Sequence, residues 1–514
     1  MYPGGSLFAS FISCFSLLTF IKLSQILHYS LPNMGEISIH GITLSSTCSH
    51  ATDPTQPPIP SHDHGLHTKP KHLIVNVNSI ITFPNELIQR ILVSCQAHDV
   101  AAFAQTCRLA RSIVYHSSDQ YLWRKLFLLH PFDDPRKYFL RISGSNSVPF
   151  FDWQHELTRR LKAERSITSA RTSKQEKVRA LEALISVIQK TPSAYQVDRG
   201  RVAQSHDITW LSRILLRPQI LDSQHGADAS PQVMVYSQLR SYVALSFDYQ
   251  GEWRTKMRRN ESRRFVYDLR NYTPKNSWGP YLDNGIVNWI HIEHLITVLL
   301  WNLHDLPNPW KNLRPPLGLE ATRPYSAPGT RASDIDWAGV EGTWRRYVCF
   351  MDYRDLFAFN FSDVPNGPQN ITFFEEPHFR EATRLMEVKL HLTALENLRF
   401  CRPRKAKSEG LRTSPDPYPP LYFSGSSKSV NGAEALVEGT VRMGHDGVVR
   451  WNFASIYSGD VQWSSDGAQI GNIASGFGVV GVWTTVSHDQ GDPIGPFWLW
   501  KVHDNAPVHL MEYI

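Results

Sequence analysis

His445-Asp446-Gly447-Val448-Val449-Arg450-Trp451-Asn452-Phe453-Ala454-Ser455-Ile456-Tyr457 decides the fold class of this chain. Asp-Gly between apolar runs is a hairpin signal, because glycine enters the positive-φ region without a Cβ clash. After the turn, Val449, Trp451, Phe453, Ser455 and Tyr457 alternate onto one face, while Arg450, Asn452 and Ala454 take the other. That is the period of a strand with one buried side. The same texture extends outward from the hairpin. Glu341-Gly342-Thr343-Trp344-Arg345-Arg346-Tyr347-Val348-Cys349-Phe350 is a β-branched and aromatic run. Further short strands are expected at 439–443, 461–463, 468–473, 478–484 and 496–502, and thirteen of the thirty glycines lie at or beyond Gly425. The spacing predicts an antiparallel sandwich or barrel over 335–514. Residues 364–435 read as an insertion holding a helix at 379–398 and a flexible loop.

Tryptophan is unevenly placed: of fifteen, none lies between Trp344 and Trp451, and Trp451, Trp463, Trp483, Trp498 and Trp500 crowd the end of the chain. Two of them complete Gly-x-Trp, at Gly342-Thr343-Trp344 and Gly481-Val482-Trp483. This resembles the lipocalin signature, in which the tryptophan closes the barrel floor, and the resemblance implies a calycin-like barrel. The segment is also similar to the C-terminal barrel of fungal F-box proteins, and more distantly to the cyclin-binding domain of an animal F-box-only protein that captures D-type cyclins. The residues that carry this are Asp336-Trp337-Ala338-Gly339-Val340-Glu341-Gly342-Thr343-Trp344, Trp463-Ser464-Ser465-Asp466-Gly467 and Gly491-Asp492-Pro493-Ile494-Gly495-Pro496-Phe497-Trp498.

Upstream, Ile80-Ile81-Thr82-Phe83-Pro84-Asn85-Glu86-Leu87-Ile88-Gln89-Arg90-Ile91-Leu92 sets a proline at a helix start, where its missing N–H costs nothing. Leu87, Ile88, Ile91 and Leu92 then make one apolar stripe. Asp99 reads as the N-cap of a second helix carrying Val100, Phe103, Ala104 and Cys107, and Ser118 or Asp119 as the cap of a third with Leu122 and Trp123. Three helices this short cannot bury all that apolar surface alone. Phe83-Pro84-Asn85-Glu86-Leu87-Ile88, Ile91-Leu92, Asp99-Val100, Cys107-Arg108-Leu109-Ala110-Arg111 and Leu122-Trp123, in this order and spacing, resemble the F-box. The resemblance implies that 79–130 docks onto the Skp1-type adaptor of a cullin-RING ubiquitin ligase and, through it, the cullin. Phe83, Pro84, Leu87, Ile88, Ile91, Leu92 and Val100 would lie in the adaptor groove. An internal three-helix core is the competing reading of the same residues.

Between the two lies a helical stretch, 131–315, expected to brace one against the other. Trp153, Leu157 and Leu161 recur every four residues, Val178, Leu181, Ile185 and Ile188 keep an a/d spacing, and the apolar run from Trp289 to Leu303 reads as a buried helix. His291-Ile292-Glu293-His294 lacks the spacing of a zinc protease, so satisfied histidines at a helix start are expected. Arg254, Lys256, Arg258, Arg259, Arg263 and Arg264 are diluted by Glu252, Glu261 and Asp268 and read as a solvated face or a patch for an acidic protein segment, with no nucleic-acid partner expected. Arg402-Pro403-Arg404-Lys405-Ala406-Lys407 has the make-up of a nuclear address.

Other function classes fall away. Net charge is +6 over 514 residues, too weak a field to suggest nucleic acid or membrane. Six scattered cysteines with no C-x-x-C suit a reducing compartment, the cytoplasm or nucleus. Gly476-Phe477-Gly478-Val479-Val480-Gly481 fits the dinucleotide fingerprint, but strand follows it where a helix is required. With no nucleophile elbow and no phosphate loop, no catalytic residue, metal or cofactor is expected. The apolar segment 1–34 admits a membrane contact through 6–27 or an extended start before Met34, and 35–78, with His62, His64, His67 and His72, reads as a disordered linker.

The expected architecture is therefore α+β and multidomain: an F-box, an all-α brace and an antiparallel barrel of calycin type. The function expected is substrate recognition, without catalysis, in a Skp1-cullin-F-box ubiquitin ligase that marks a protein target for degradation. The alternative is a calycin-like small-ligand binder carrying an F-box. Candidate contacts to the target are Arg345, Arg450, Trp451, Tyr457, Trp463, Trp483, His488 and Trp498, since aromatics and arginines dominate hot spots. For each tryptophan a place in the barrel core is the competing reading.

Overall fold

The structure, a computed structural model, describes residues 83–117, 119–136, 150–194, 204–217, 220–221, 230–244, 252–307, 313–331, 333, 335–362, 368–399 and 417–513. Segments 1–34 and 35–78, the histidines within them and the basic run at 402–407 lie outside these residues. The chain divides into two compact units, the first ending at Leu126 and the second starting at Phe127.

In the first unit the carbonyl of Pro84 accepts from the amides of Leu87 and Ile88 and so starts α1 (Asn85–Leu92). Helix α2 (Ala97–Ala104) begins two residues before Asp99, whose carboxylate accepts from the Gln96 amide at 3.3 Å; Asp99 closes the first turn from inside the helix instead of capping it. Among the described residues four helices stand where three are expected. The thiol of Cys107 accepts from the Ala110 amide at 3.3 Å and opens α3 (Arg108–Tyr115), and the Asp119 carboxylate accepts from the Tyr121 amide at 3.1 Å to open α4 (Tyr121–Leu129). Ile88, Leu92, Val100, Phe103, Ile113 and Val114 are buried, and Trp123 is held by its Nε1 donating to the Val114 carbonyl at 2.8 Å.

The second unit joins helices and barrel. Its helices are α5 (Trp153–Thr168), α6 (Lys174–Gln189), α7 (His206–Leu215), α8 (Pro231–Val243), α9 (Glu252–Tyr267) and α10 (Trp289–Asp305), and α11 (Tyr353–Phe361) follows the first strand. Strands β1 (Gly342–Met351), β2 (Glu381–Thr393), β3 (Leu421–Lys428), β4 (Glu434–Met443), β5 (Val449–Tyr457), β6 (Asp460–Gln469), β7 (Val479–Thr485) and β8 (Ile494–Lys501) pair each with the next, all antiparallel. Strand β8 returns to pair with β1, which also pairs with β2, so the sheet closes into an eight-stranded barrel. A last short strand, β9 (Met511–Tyr513), adds to β2 at 383–385.

Two expectations are corrected here. Residues 364–435 are not an insertion, since they contribute β2 and β3, and the helix expected at 379–398 is the strand β2. It has buried residues on both faces, Ala382 and Val388 inward and Thr383, Leu385 and Glu387 outward, so burial loses its period of two and imitates a helix. The strand expected at 461–463 is longer: β6 runs on through Ser464-Ser465-Asp466-Gly467 to Gln469, while 470–473 of the strand expected at 468–473 lie outside it. On β5 burial alternates to Phe453, beyond which Ala454 on the outer face is buried too, and past Ser455 a bulge shifts the register against β6.

Helices α9 and α10 cover the outer face at β1, β7 and β8. Here the basic run of α9 finds its partners. Arg258 pairs with Glu293 at 2.5 Å, Arg259 with Asp305 at 2.5 Å and Arg263 with Glu381 at 2.6 Å, so these arginines wire the helix to α10 and to β2 and do not form a solvated face. Tyr267 and Tyr272, beside the run, are buried.

Candidate functional site

Alternation along the strands sorts the barrel interior into a closed half and a mouth. Trp344, Trp451, Phe423, Val441 and Leu499 fill the closed half, with Trp337 packed beneath them. The rings of Trp344 and Trp451 meet edge to face at 5.2 Å. Each indole N–H is satisfied: Trp344 donates to the Val340 carbonyl at 2.8 Å, Trp451 to Gln469 Oε1 at 3.3 Å and Trp337 to the Pro419 carbonyl at 2.8 Å. Lys501 lies over Trp344 and donates to the Gly339 carbonyl at 3.1 Å. The first Gly-x-Trp thus supplies the floor. The second does the opposite, since Trp483 stands at the far end, half-buried, with Nε1 donating to the Cys349 carbonyl at 3.2 Å.

Arg346 occupies the boundary between the two halves. It is 5 % exposed, between Trp344 and Val348 on the inward face of β1. Its Nη2 donates to Ser465 Oγ at 2.8 Å and its Nη1 to Ser455 Oγ at 3.5 Å, and its guanidinium lies 5.0 Å from the centre of the Phe453 ring and 5.3 Å from that of Phe497. Nε has no hydrogen-bond partner, and no carboxylate among the described residues pairs with the group. Burial pulls its pKa down to about 10, while Tyr457 acts in the other direction.

The register sets aromatics around this cation. Trp483 lies opposite Ser465 and Trp463 opposite Ser455, so each tryptophan flanks one of the serines that hold Arg346. The two indoles touch edge to face at 5.2 Å, and Phe350 packs on Trp483 at 6.3 Å. Tyr457, Trp463, Trp483, Phe350 and Met386 are half-buried, as befits side chains at an opening.

Of the sequence candidates, Tyr457, Trp463 and Trp483 therefore come together, and the others do not join them. Trp451 is buried in the closed half, and Trp498 is buried on the outer face, stacked on Phe477 at 4.8 Å with Nε1 donating to its carbonyl at 2.7 Å; neither offers a surface to a target. Arg345 points outward and donates to the Pro507 carbonyl at 3.1 Å. Arg450 is half-buried, pairs with Asp446 at 2.9 Å and lies over Tyr281 at 5.1 Å. His488, on the β7–β8 connection, stacks flat on Trp278 at 3.9 Å, and burial lowers its pKa against the pull of Asp492. Arg346 escaped the sequence reading although the signal was present. If Gly-x-Trp turns Trp344 inward, alternation turns Arg346 inward too and Arg345 out.

Other concave features are accounted for locally. An open cleft of about 560 Å³ is lined by Arg270, Asn271, Asn276, Asp283, Asn288 and His291 among others, but its amides are spent on turns. Asn276 accepts from the Thr273 amide, Asn271 donates to the Phe265 carbonyl and Asn288 caps α10. Around it the His291-Ile292-Glu293-His294 residues separate: His291 meets the Tyr272 hydroxyl at 3.1 Å, Glu293 pairs with Arg240 at 2.7 Å, and His294 meets Ser262 at 3.0 Å. Among the described residues no cluster of His, Cys, Asp or Glu is placed to hold a metal ion, and no helix is long and apolar enough to cross a membrane.

On the first unit, Phe83 and Leu87 are 43 % and 47 % exposed, Pro84 is exposed and Ile91 half-buried, while Ile88, Leu92 and Val100 are buried and unavailable to a partner. No protein-family model, curated protein or solved structure matches the chain.

Proposed function

We propose that this protein is the substrate-recognition subunit of a Skp1-cullin-F-box ubiquitin ligase: its first unit docks the adaptor and its barrel mouth selects the target. The observation that carries the reading is the exposed apolar edge of α1. Leu87 and Ile91, four residues apart, share one side of the helix, Phe83 lies just before its start, and Phe83 and Leu87 keep over two-fifths of their surface in water. Large apolar side chains grouped this way on so short a helix suit a helix-in-groove contact. Ile88, Leu92 and Val100 supply the core that holds the edge in place. The protein performs no chemistry in this reading; it raises the effective concentration of a target's lysines beside the ligase. The test is Leu87→Asp with Ile91→Asp: adaptor co-purification is expected to be lost with the barrel still folded, and retained capture overturns the reading.

A second reading, a calycin-like small-ligand binder that carries an F-box, has its own support in the closed barrel, its tryptophan floor and the buried Arg346. Interaction mass spectrometry of the tagged chain, with and without proteasome inhibition, separates the two. Proteins that accumulate on it under inhibition favour the ligase reading.

A further inference from the structure

We propose that the barrel mouth binds a carboxylate carried on an apolar stem, with Arg346 as the group that receives the charge and Trp463 and Trp483 as the walls that receive the stem. The proposal deepens the reading of the mouth as a recognition site by naming the chemistry it selects, and it does not depend on adaptor docking.

The argument starts from an incomplete ion. A guanidinium carries five N–H donors in a fixed fork and stays charged. Arg346 is 5 % exposed; the hydroxyls of Ser465 and Ser455 and the faces of Phe453 and Phe497 meet part of its demand. Its Nε is left with no acceptor, and no carboxylate among the described residues pairs with it. Among the described residues the other buried arginines of this unit are completed: Arg160 pairs with Glu156 and Asp207, Arg263 with Glu381, Arg240 with Glu293 and Arg323 with Glu320. Arg346 is thus the exception among the buried arginines described, the rest of which are supplied with carboxylates, as desolvated charges require.

Position gives the remaining charge its partner. A filled barrel would place an apolar residue here, as it does at Trp344 and Val348 on either side. The Phe453 and Phe497 rings pack against the cation, and further along the strands from the Trp344 floor lie half-buried Trp463, Trp483, Phe350 and Tyr457. A ligand entering there meets aromatic surface first and the guanidinium last. That order fits an apolar stem that ends in an anion, and the fork geometry favours a carboxylate. Two sources share this chemistry: a small aliphatic monocarboxylate, or the free C-terminus of a protein chain that ends in apolar residues.

The test is calorimetric titration of the full chain with decanoate and with decanol, and with an apolar hexapeptide bearing either a free or an amidated C-terminus. Decanoate or the free-carboxylate peptide is expected to bind at least about tenfold more tightly than its uncharged counterpart, the discrimination of a hydrogen bond to a charged group. Which of the two binds identifies the source. Arg346→Met is expected to abolish that preference, and Arg346→Lys to retain part of it. Because the methionine removes an uncompensated charge at similar volume, its melting temperature should not fall; should it fail to fold, the charged-versus-uncharged comparison on the native chain still decides. Equal binding of charged and uncharged probes, no binding of either, or an unchanged preference in folded Arg346→Met overturns the proposal. The Leu87→Asp, Ile91→Asp chain should titrate like the native one, so failure of adaptor docking and failure of the carboxylate site are told apart.

Discussion

Arg263 and Glu381 form a buried ion pair, Nη2 to Oε2 at 2.6 Å, that ties α9 to the start of β2. A second guanidinium bond at 2.9 Å and the Tyr267 hydroxyl at 2.5 Å complete the carboxylate. Burial alone would raise the pKa of Glu381, but Arg263 and then Tyr267 outweigh it and hold the group below the usual range. Removing one partner strands the other in the interior. Arg263→Met is expected to cost about 3–5 kcal/mol in urea unfolding, and Arg263→Met with Glu381→Leu to recover most of the loss. A double variant no better than the single would mean that the pair is not the source of the effect.

His291 is 2 % exposed, and burial, with a smaller push from His294, lowers its pKa to about 3. The unfolded chain therefore binds a proton below about pH 6.5 that the folded chain refuses, so this contribution to stability is full at neutral pH and fades as pH falls. Between pH 7 and pH 5 the loss from this one group is about 2 kcal/mol. His291→Leu sacrifices the contact with Tyr272 at every pH but is expected to flatten the acid limb by that amount. Parallel unfolding curves at the two pH values check it, and an unchanged acid loss counts against it.

The two Gly-x-Trp tryptophans should differ in cost. Trp344 is buried against Trp451, so Trp344→Ala opens a cavity in the closed half and is expected to cost about 3–5 kcal/mol. Trp483 is half-buried at the mouth, and Trp483→Ala is expected to cost about 1–2 kcal/mol, in line with its partial burial. Similar costs at the two positions would contradict the division into floor and mouth.

The contrast also shows what the chain made legible. Where one face of a strand is buried, as along β5 to Phe453, period two announces the strand and its inward residues. It fails where a second layer covers the outer face, as at Leu385 and Glu387 of β2. It fails too at Ser464-Ser465-Asp466-Gly467, whose composition is that of a turn. Ser465 is there to hold Arg346, Asp466 accepts from Asn452 at 2.8 Å, and a side chain at Gly467 would crowd Phe497 at 2.9 Å. The charges of α9 read as solvated because their partners are remote: Glu381 lies 118 residues beyond Arg263, and nothing local marks the pairing.

Gly481 carries the last prediction. A Cβ built on it would lie 2.1 Å from the Asp466 carbonyl oxygen, a backbone atom of the neighbouring strand that cannot rotate away. Gly481→Ala must therefore displace β7 from β6, and the cost expected is about 1–3 kcal/mol or more, as for other overpacked interiors. Gly432 offers the control. Its φ is +74°, so alanine there is strained, but nothing lies within 4 Å of the added methyl, and about 1–2 kcal/mol of purely local cost is expected. The two substitutions should differ in kind as well as size. Gly481 faces Gly467 across the ladder, and the next inward pair toward the mouth is Trp483 with Ser465. Shifting β7 moves Trp483 relative to the serine that holds Arg346, so Gly481→Ala should weaken carboxylate binding while Gly432→Ala leaves it unchanged. Titration of both variants, each first shown to be folded by its melting transition, decides the point; equal affinities would uncouple the β6–β7 register from the mouth.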